Sequence, residues 1–285
     1  MSCRDSVRKS VTVFTKVTRH GVVLLLLAAP CAFGRRTLET TASPNPNMLS
    51  DQQVASLTAK RIFFGHQSVG NNIIQGIRDL ASVDPQLKLN LVKSSDPQSV
   101  SGPAFVEFEI GQNGNPQSKI DAFAAVLDKG VAAQGGIAMF KFCYVDIESS
   151  TNIPKMFVGY RNGISTLKAR YPSLKIVHVT VPLTTVEPAS KAWIKRLLGR
   201  VTLQDVNVKR NEFNNLMRQT YAGIDAIFDL AEVESTHGDG SRSYFTRGNE
   251  KIYTLAPEFT ADGGHLNEVG RRVAAARLLF ILAQL

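Results

Sequence analysis

From about residue 53 onward the chain alternates short, nearly continuous runs of β-branched and aromatic residues with longer segments whose apolar positions recur at helical spacing. The runs Arg61–Phe64, Leu87–Val92, Ile137–Val145, Leu174–Val181 and Ala226–Asp229 predict strands. The segments Gln53–Lys60, Val69–Ser82, Gln117–Gly130, Pro154–Tyr171, Asp205–Ala222 and Asn267–Ala283 predict helices. Alternation of this kind builds a mainly parallel sheet, because parallel neighbours need a crossover and a helix is the usual crossover. All but the last strand are apolar almost throughout, as strands covered on both faces must be. The pattern therefore predicts one α/β domain over residues 53–285, a three-layer α/β/α sandwich on a mainly parallel five-stranded sheet. In such sheets ligands gather where strands feed into helices. That directs attention to Gly65–Gly70, Gly111–Pro116, Asp146–Ile153, Thr184–Arg200 and Glu232–Leu266.

The beginning of the chain follows another logic. Residues 1–34 carry Arg4, Arg8, Lys9, Lys16 and Arg19 against Asp5 alone. They continue into an apolar run from Gly21 to Phe33, shorter than the roughly 18 residues that a membrane span needs. Ala32-Phe33-Gly34 supplies a small-x-small cleavage pattern, so residues 1–34 read as a signal peptide with the mature chain starting near Arg35. The expectation is a secreted or periplasmic protein with no stable membrane insertion after cleavage. Retained, the same segment would be a membrane anchor, and a lipid-modified Cys31 would need a small residue where Pro30 stands. Residues 35–52, rich in Thr, Ser, Pro and Asn, cannot bury apolar area and read as a flexible linker.

Composition narrows the classes further. With 44% hydrophobic and 20% charged residues in 285, the chain is neither disordered nor fibrous. Its formal charge of +9 is concentrated partly in the first 34 residues and otherwise scattered, with no arginine stripe, so nucleic acid is not an expected partner. Cleavage would leave Cys143 alone, which excludes an internal disulfide and makes this thiol a small core hydrophobe. The histidines lack metal-ligand spacing, and no metal or other cofactor is expected.

Two stretches could carry chemistry. Ile62-Phe63-Phe64-Gly65-His66-Gln67-Ser68-Val69-Gly70-Asn71-Asn72 is a strand, a tight turn and a helix start. Ser68 there is either a helix N-cap or a nucleophile at the positive end of the helix dipole. A nucleophile needs a base, and His265 is the candidate that remains. His20 leaves with the signal, His178 sits in an apolar strand, His237 lies in a glycine-rich loop, and His66 is too close to the serine on the same turn. Asp262-Gly263-Gly264-His265-Leu266-Asn267 sets a carboxylate three residues before that histidine. One turn can hold both, with the aspartate orienting the imidazole, or they are a loop aspartate and a surface histidine before a helix capped by Asn267.

Together these stretches resemble the SGNH (GDSL-like) hydrolase superfamily. The resemblance implies a flavodoxin-like domain, with Ser68 as nucleophile, His265 as base and Asp262 as its orienting acid. It implies oxyanion donors in the Ser68 amide and in Gly111, Asn113 or Gly114 of the second block. Two positions depart from the family pattern. Gly65-His66-Gln67-Ser68 replaces Gly-Asp-Ser, and Phe142-Cys143-Tyr144-Val145-Asp146 has no asparagine where the third block would supply one. An aspartate there would repel an oxyanion unless it were protonated or paired with a cation. The resemblance implies a serine esterase and, taken with the export expected from residues 1–34, one that removes acetyl or similar groups from a carbohydrate or small-molecule ester. An O-acyltransferase or a non-catalytic carbohydrate-binding domain on the same scaffold are the alternatives. The loops 94–104, 184–200 and 232–258 carry no readable specificity code.

Overall fold

The computed structural model describes residues 49–285, so the expected signal segment and most of the expected linker lie outside the described residues. The first helix, α1 (Asp51–Thr58), begins two residues before the expected Gln53, because Ser50 and Gln53 close a capping box. Then follow β1 (Arg61–His66), α2 (Val69–Val83), β2 (Leu91–Lys93), β3 (Ala104–Glu109), α3 (Pro116–Asp128), β4 (Gly136–Phe140), α4 (Ile153–Arg170), β5 (Leu174–Val179) and α5 (Ala189–Leu197). The chain ends with α6 (Leu203–Tyr221), β6 (Ala226–Phe228), α7 (Leu230–Ser235), the hairpin β7 (Tyr244–Arg247) and β8 (Glu250–Tyr253), and α8 (Glu268–Ala283). No helix among the described residues is long and apolar enough to cross a membrane.

The main sheet has six strands rather than five, all parallel, in the order β2-β3-β1-β4-β5-β6. Setting the edge strand β2 aside leaves the doubly wound order of flavodoxin-like folds, whose switch point lies between β1 and β4. The extra strand is β3, which the hydrophobic pattern misses because Glu107 and Glu109 interrupt it. Glu107 is nonetheless buried, held by Arg78 at 2.7 Å and His66 Nε2 at 3.2 Å. Burial of a charge on a central strand is tolerable only with such partners, and they come from β1 and α2.

Alternation along β1 sends Ile62 and Phe64 into one core with Ile73, Ile77 and Leu278, and Phe63 into the other with Phe123, Phe140, Phe157 and Phe213. The three layers follow, with α1, α2 and α8 on one face and α3, α4 and α6 on the other. Contact between α2 and α8 is close enough that a Cβ at Gly76 would stand 2.1 Å from the Arg271 carbonyl oxygen. Only glycine fits there, and the close crossing brings the N-terminal ends of both helices to one place above the sheet.

Candidate active site

Ser68 ends the turn that follows β1 and occupies the N-cap position of α2. Its side chain caps nothing. Its φ of 56° and ψ of −115° make it the one non-glycine residue with positive φ among the described residues, a conformation that costs energy and persists only where the surroundings enforce it. The turn sets Oγ 2.8 Å from His265 Nε2. The amides of Gly70 and Asn71 donate to Gln67 and Ser68 carbonyls, which leaves the Ser68 and Val69 amides at the positive end of α2 without a partner among the described residues.

His265 lies in the turn before α8, and its Nδ1 meets Asp262 Oδ2 at 2.7 Å. Nδ1 therefore carries the ring proton toward Asp262, and Nε2 accepts from the Ser68 hydroxyl. Asp262 Oδ1 also accepts the amides of His265 at 2.8 Å and Gly264 at 2.9 Å. Those amides, with the His265 ring, hold the carboxyl far below the ordinary aspartate range, although it is largely exposed. Asn267 caps α8 through the Gly270 amide at 3.0 Å, and Leu266 donates to Asn72 Oδ1 of α2 at 3.1 Å, which ties the two helix starts together. Gly263 has a φ of +86°, and a Cβ on Gly264 would press on the Tyr144 ring at about 3.0 Å, so neither glycine is mere slack in the turn.

In the second block one of the three expected donors is already engaged. The Gly114 amide donates to Asp146 Oδ1 at 2.8 Å and is already occupied, so it cannot receive an oxyanion. Asn113 Oδ1 accepts from Lys119 Nζ at 2.9 Å, and Gly111 packs on Lys119 and takes the Gln67 amide on its carbonyl at 2.8 Å. Gly111 braces the Ser68 turn through Gln67, which also donates to the Ile110 carbonyl at 2.9 Å.

The residue that pattern reading passed over is Tyr144, just after β4 at the switch point. Its hydroxyl lies beside Ser68, its ring stands edge-on to His265 with 5.7 Å between centroids, and the Arg210 guanidinium lies 5.6 Å from the ring's centre. Arg210 Nε also donates to the Tyr144 carbonyl at 3.1 Å. Burial and the charge of Asp262 raise the phenol's pKa, which keeps its proton in place to donate. An aromatic hydroxyl where an amide side chain was sought is a signal that residue-type matching alone does not weigh.

A cleft of about 510 Å³ shares the Thr260–Gly263 wall and is lined also by Thr185, Val186, Arg242, Ser243 and Tyr244. Ser243 is itself 2.8 Å from His237 Nε2, and His237 Nδ1 contacts Glu258. This second serine heads no helix, and its amide donates to the Ser235 carbonyl at 2.7 Å. It therefore lacks both the strained elbow and the free amides that distinguish Ser68. His178 is buried between Tyr160 at 2.7 Å and Asp225 at 3.2 Å, and Cys143 is a buried free thiol.

No family model matches the chain, and no curated protein does. Among solved structures it is similar to a GDSL-like lipase from Bacteroides thetaiotaomicron, 12% identical with a TM-score of 0.48 over 86% of this chain and 92% of that one. It is also similar to an acetyl xylan esterase, 16% identical with a TM-score of 0.41 over 76% and 96% of the two chains. A catalytic mutant of an acetylxylan esterase from Geobacillus stearothermophilus is 12% identical, with a TM-score of 0.41 over 79% and 94%. At identities this low the chemistry has to be read from the side chains of this chain itself.

Proposed function

We propose that this protein is a serine ester hydrolase of the SGNH type that works through an acyl-enzyme. The observation that carries the reading is the unbroken chain from Ser68 Oγ through the His265 ring to Asp262, with links of 2.8 and 2.7 Å, mounted on a strained residue at a helix N-terminus. Ser68 Oγ attacks the ester carbonyl while its proton passes to His265 Nε2, and Asp262 stabilises the imidazolium. The Ser68 amide and the Tyr144 hydroxyl face the oxyanion that develops. Collapse expels the alcohol, which takes the proton from His265. Water, deprotonated by the same nitrogen, then frees the acyl group and restores Ser68.

The cleft beside the catalytic turn offers Thr185, Ser243 and Thr260 hydroxyls, the Arg242 guanidinium and the Tyr244 ring. That lining supports a polyhydroxylated alcohol portion, hence an acylated carbohydrate or similar small ester, met outside the cytoplasm after export by residues 1–34. A fluorophosphonate probe tests the chemistry, since labelling needs an activated serine and a working base together. Ser68→Ala and His265→Ala are each expected to abolish labelling and to lower short-chain aryl ester hydrolysis by at least about 10³-fold, whereas Ser243→Ala keeps its label. Undiminished hydrolysis by Ser68→Ala would overturn the reading.

A further inference from the structure

Of the twelve large apolar side chains exposed among the described residues, six fall between residues 186 and 201, namely Val186, Trp193, Ile194, Leu197, Leu198 and Val201. The helix α5 in this stretch is turned inside out. At about 100° per residue, Trp193, Ile194 and Leu197 share one face. Ala192, the one buried residue of the helix, lies on the opposite face. A surface helix ordinarily points its apolar stripe at the core. Here the stripe faces out, and Trp193 and Leu197 are 64% and 71% exposed.

Charge identifies what covers it. Lys191, Arg196 and Arg200 are exposed, whereas the only carboxylate of the segment, Glu187, is buried and paired with Lys195. A second copy of the chain would set these cations against one another across a two-fold axis. An apolar stripe carrying tryptophan and flanked by cations is instead suited to the headgroup layer of an anionic bilayer.

We propose that α5 and the turn to Val201 dock the protein on an anionic lipid surface, Trp193, Ile194 and Leu197 entering the headgroup boundary while Lys191, Arg196 and Arg200 meet the lipid charges. Val186 also lines the cleft, and the Thr185 amide donates to the Gly263 carbonyl at 2.9 Å, so docking brings the edge of the cleft to the lipid. The docking goes beyond the proposed hydrolysis and does not depend on it.

Trp193 is the only tryptophan of the chain and reports the event directly. Mature protein, starting near Arg35, is mixed with vesicles of phosphatidylcholine alone or with added phosphatidylglycerol. With the anionic vesicles the Trp193 emission shifts to the blue and is quenched by brominated acyl chains, and Ser68→Ala behaves identically. Arg196→Gln with Arg200→Gln lowers partitioning roughly thirtyfold. Leu197→Glu removes the shift yet leaves aryl ester hydrolysis in solution unchanged. Protein that pellets with vesicles while Trp193 emission stays put would overturn the proposal, because another segment would be doing the binding. So would failure to pellet, or a dimer dissolved by Leu197→Glu that ignores vesicles.

Discussion

Lys119 Nζ lies 2.5 Å from Asp146 Oδ2, and neither side chain reaches solvent. The same carboxylate takes the Cys143 amide at 2.6 Å and the Gly114 amide at 2.8 Å, so one buried ion pair pins the loop after β3 to the loop after β4. An unpaired aspartate at this place would oppose an oxyanion at Ser68. Lys119 cancels its charge, and the aspartate becomes a brace.

Removing the cation alone leaves a buried carboxylate uncompensated, so Lys119→Met is expected to cost about 3–5 kcal/mol. Urea unfolding followed by circular dichroism checks this, with the double variant Lys119→Met, Asp146→Asn recovering part of the loss. Wild-type stability in Lys119→Met would show that the pair braces nothing.

The positive φ of Ser68 makes a prediction opposite in sign for stability and activity. Ser68→Gly and Ser68→Ala both remove the hydroxyl and are expected to be inactive. Glycine adopts this backbone without strain, so Ser68→Gly is expected to be more stable than Ser68→Ala by about 1 kcal/mol. Equal melting temperatures for the two variants would mean that the turn stores no strain.

Tyr144→Phe keeps the ring against His265 and Arg210 and deletes only the hydroxyl beside Ser68. Loss of a donor used only by the oxyanion lowers kcat, here by about 10–100-fold, and leaves KM nearly unchanged. A rise in KM at constant kcat would instead assign the hydroxyl to binding the substrate in its ground state.

Glu234 is fully buried, and burial pushes its pKa up to about 8. One oxygen accepts the Leu183 amide at 2.7 Å, and the other has no partner among the described residues. The folded protein therefore holds a proton that the unfolded chain releases near the ordinary glutamate value. Stability from this group is complete below about pH 4.5 and is lost as pH rises toward 8, at up to about 1.4 kcal/mol per pH unit. Glu234→Gln is expected to remove that decline, and melting temperatures of the two proteins between pH 5 and 8 should converge at the acid end. Parallel curves would contradict the linkage.

Local chemistry was legible because it depends on neighbours along the chain. Asp262 and His265 are three residues apart, so a single turn suffices to pair them, and the strand-turn-helix around Ser68 is written in the apolar run before it and the Ile73, Ile74 and Ile77 spacing after it. The parallel α/β architecture follows from the same periodicities. Strand β3 was hidden because the partners that make Glu107 tolerable, His66 and Arg78, stand 41 and 29 residues away. The charge looks like a surface signal until the fold supplies them.

Other features were decided by tertiary contact alone. Ser68 and His265 are 197 positions apart and meet only because Gly76 lets α2 and α8 approach. Gly114 has the right residue type for an oxyanion donor, but its amide belongs to Asp146. Whether an amide is free depends on what packs beside it. The stretch 184–200, expected as a loop, holds the helix α5, and that its apolar face turns outward is seen only once the body of the protein is found to lie behind Ala192. Periodicity along a chain records which residues share a face, and only the assembled fold determines what that face meets.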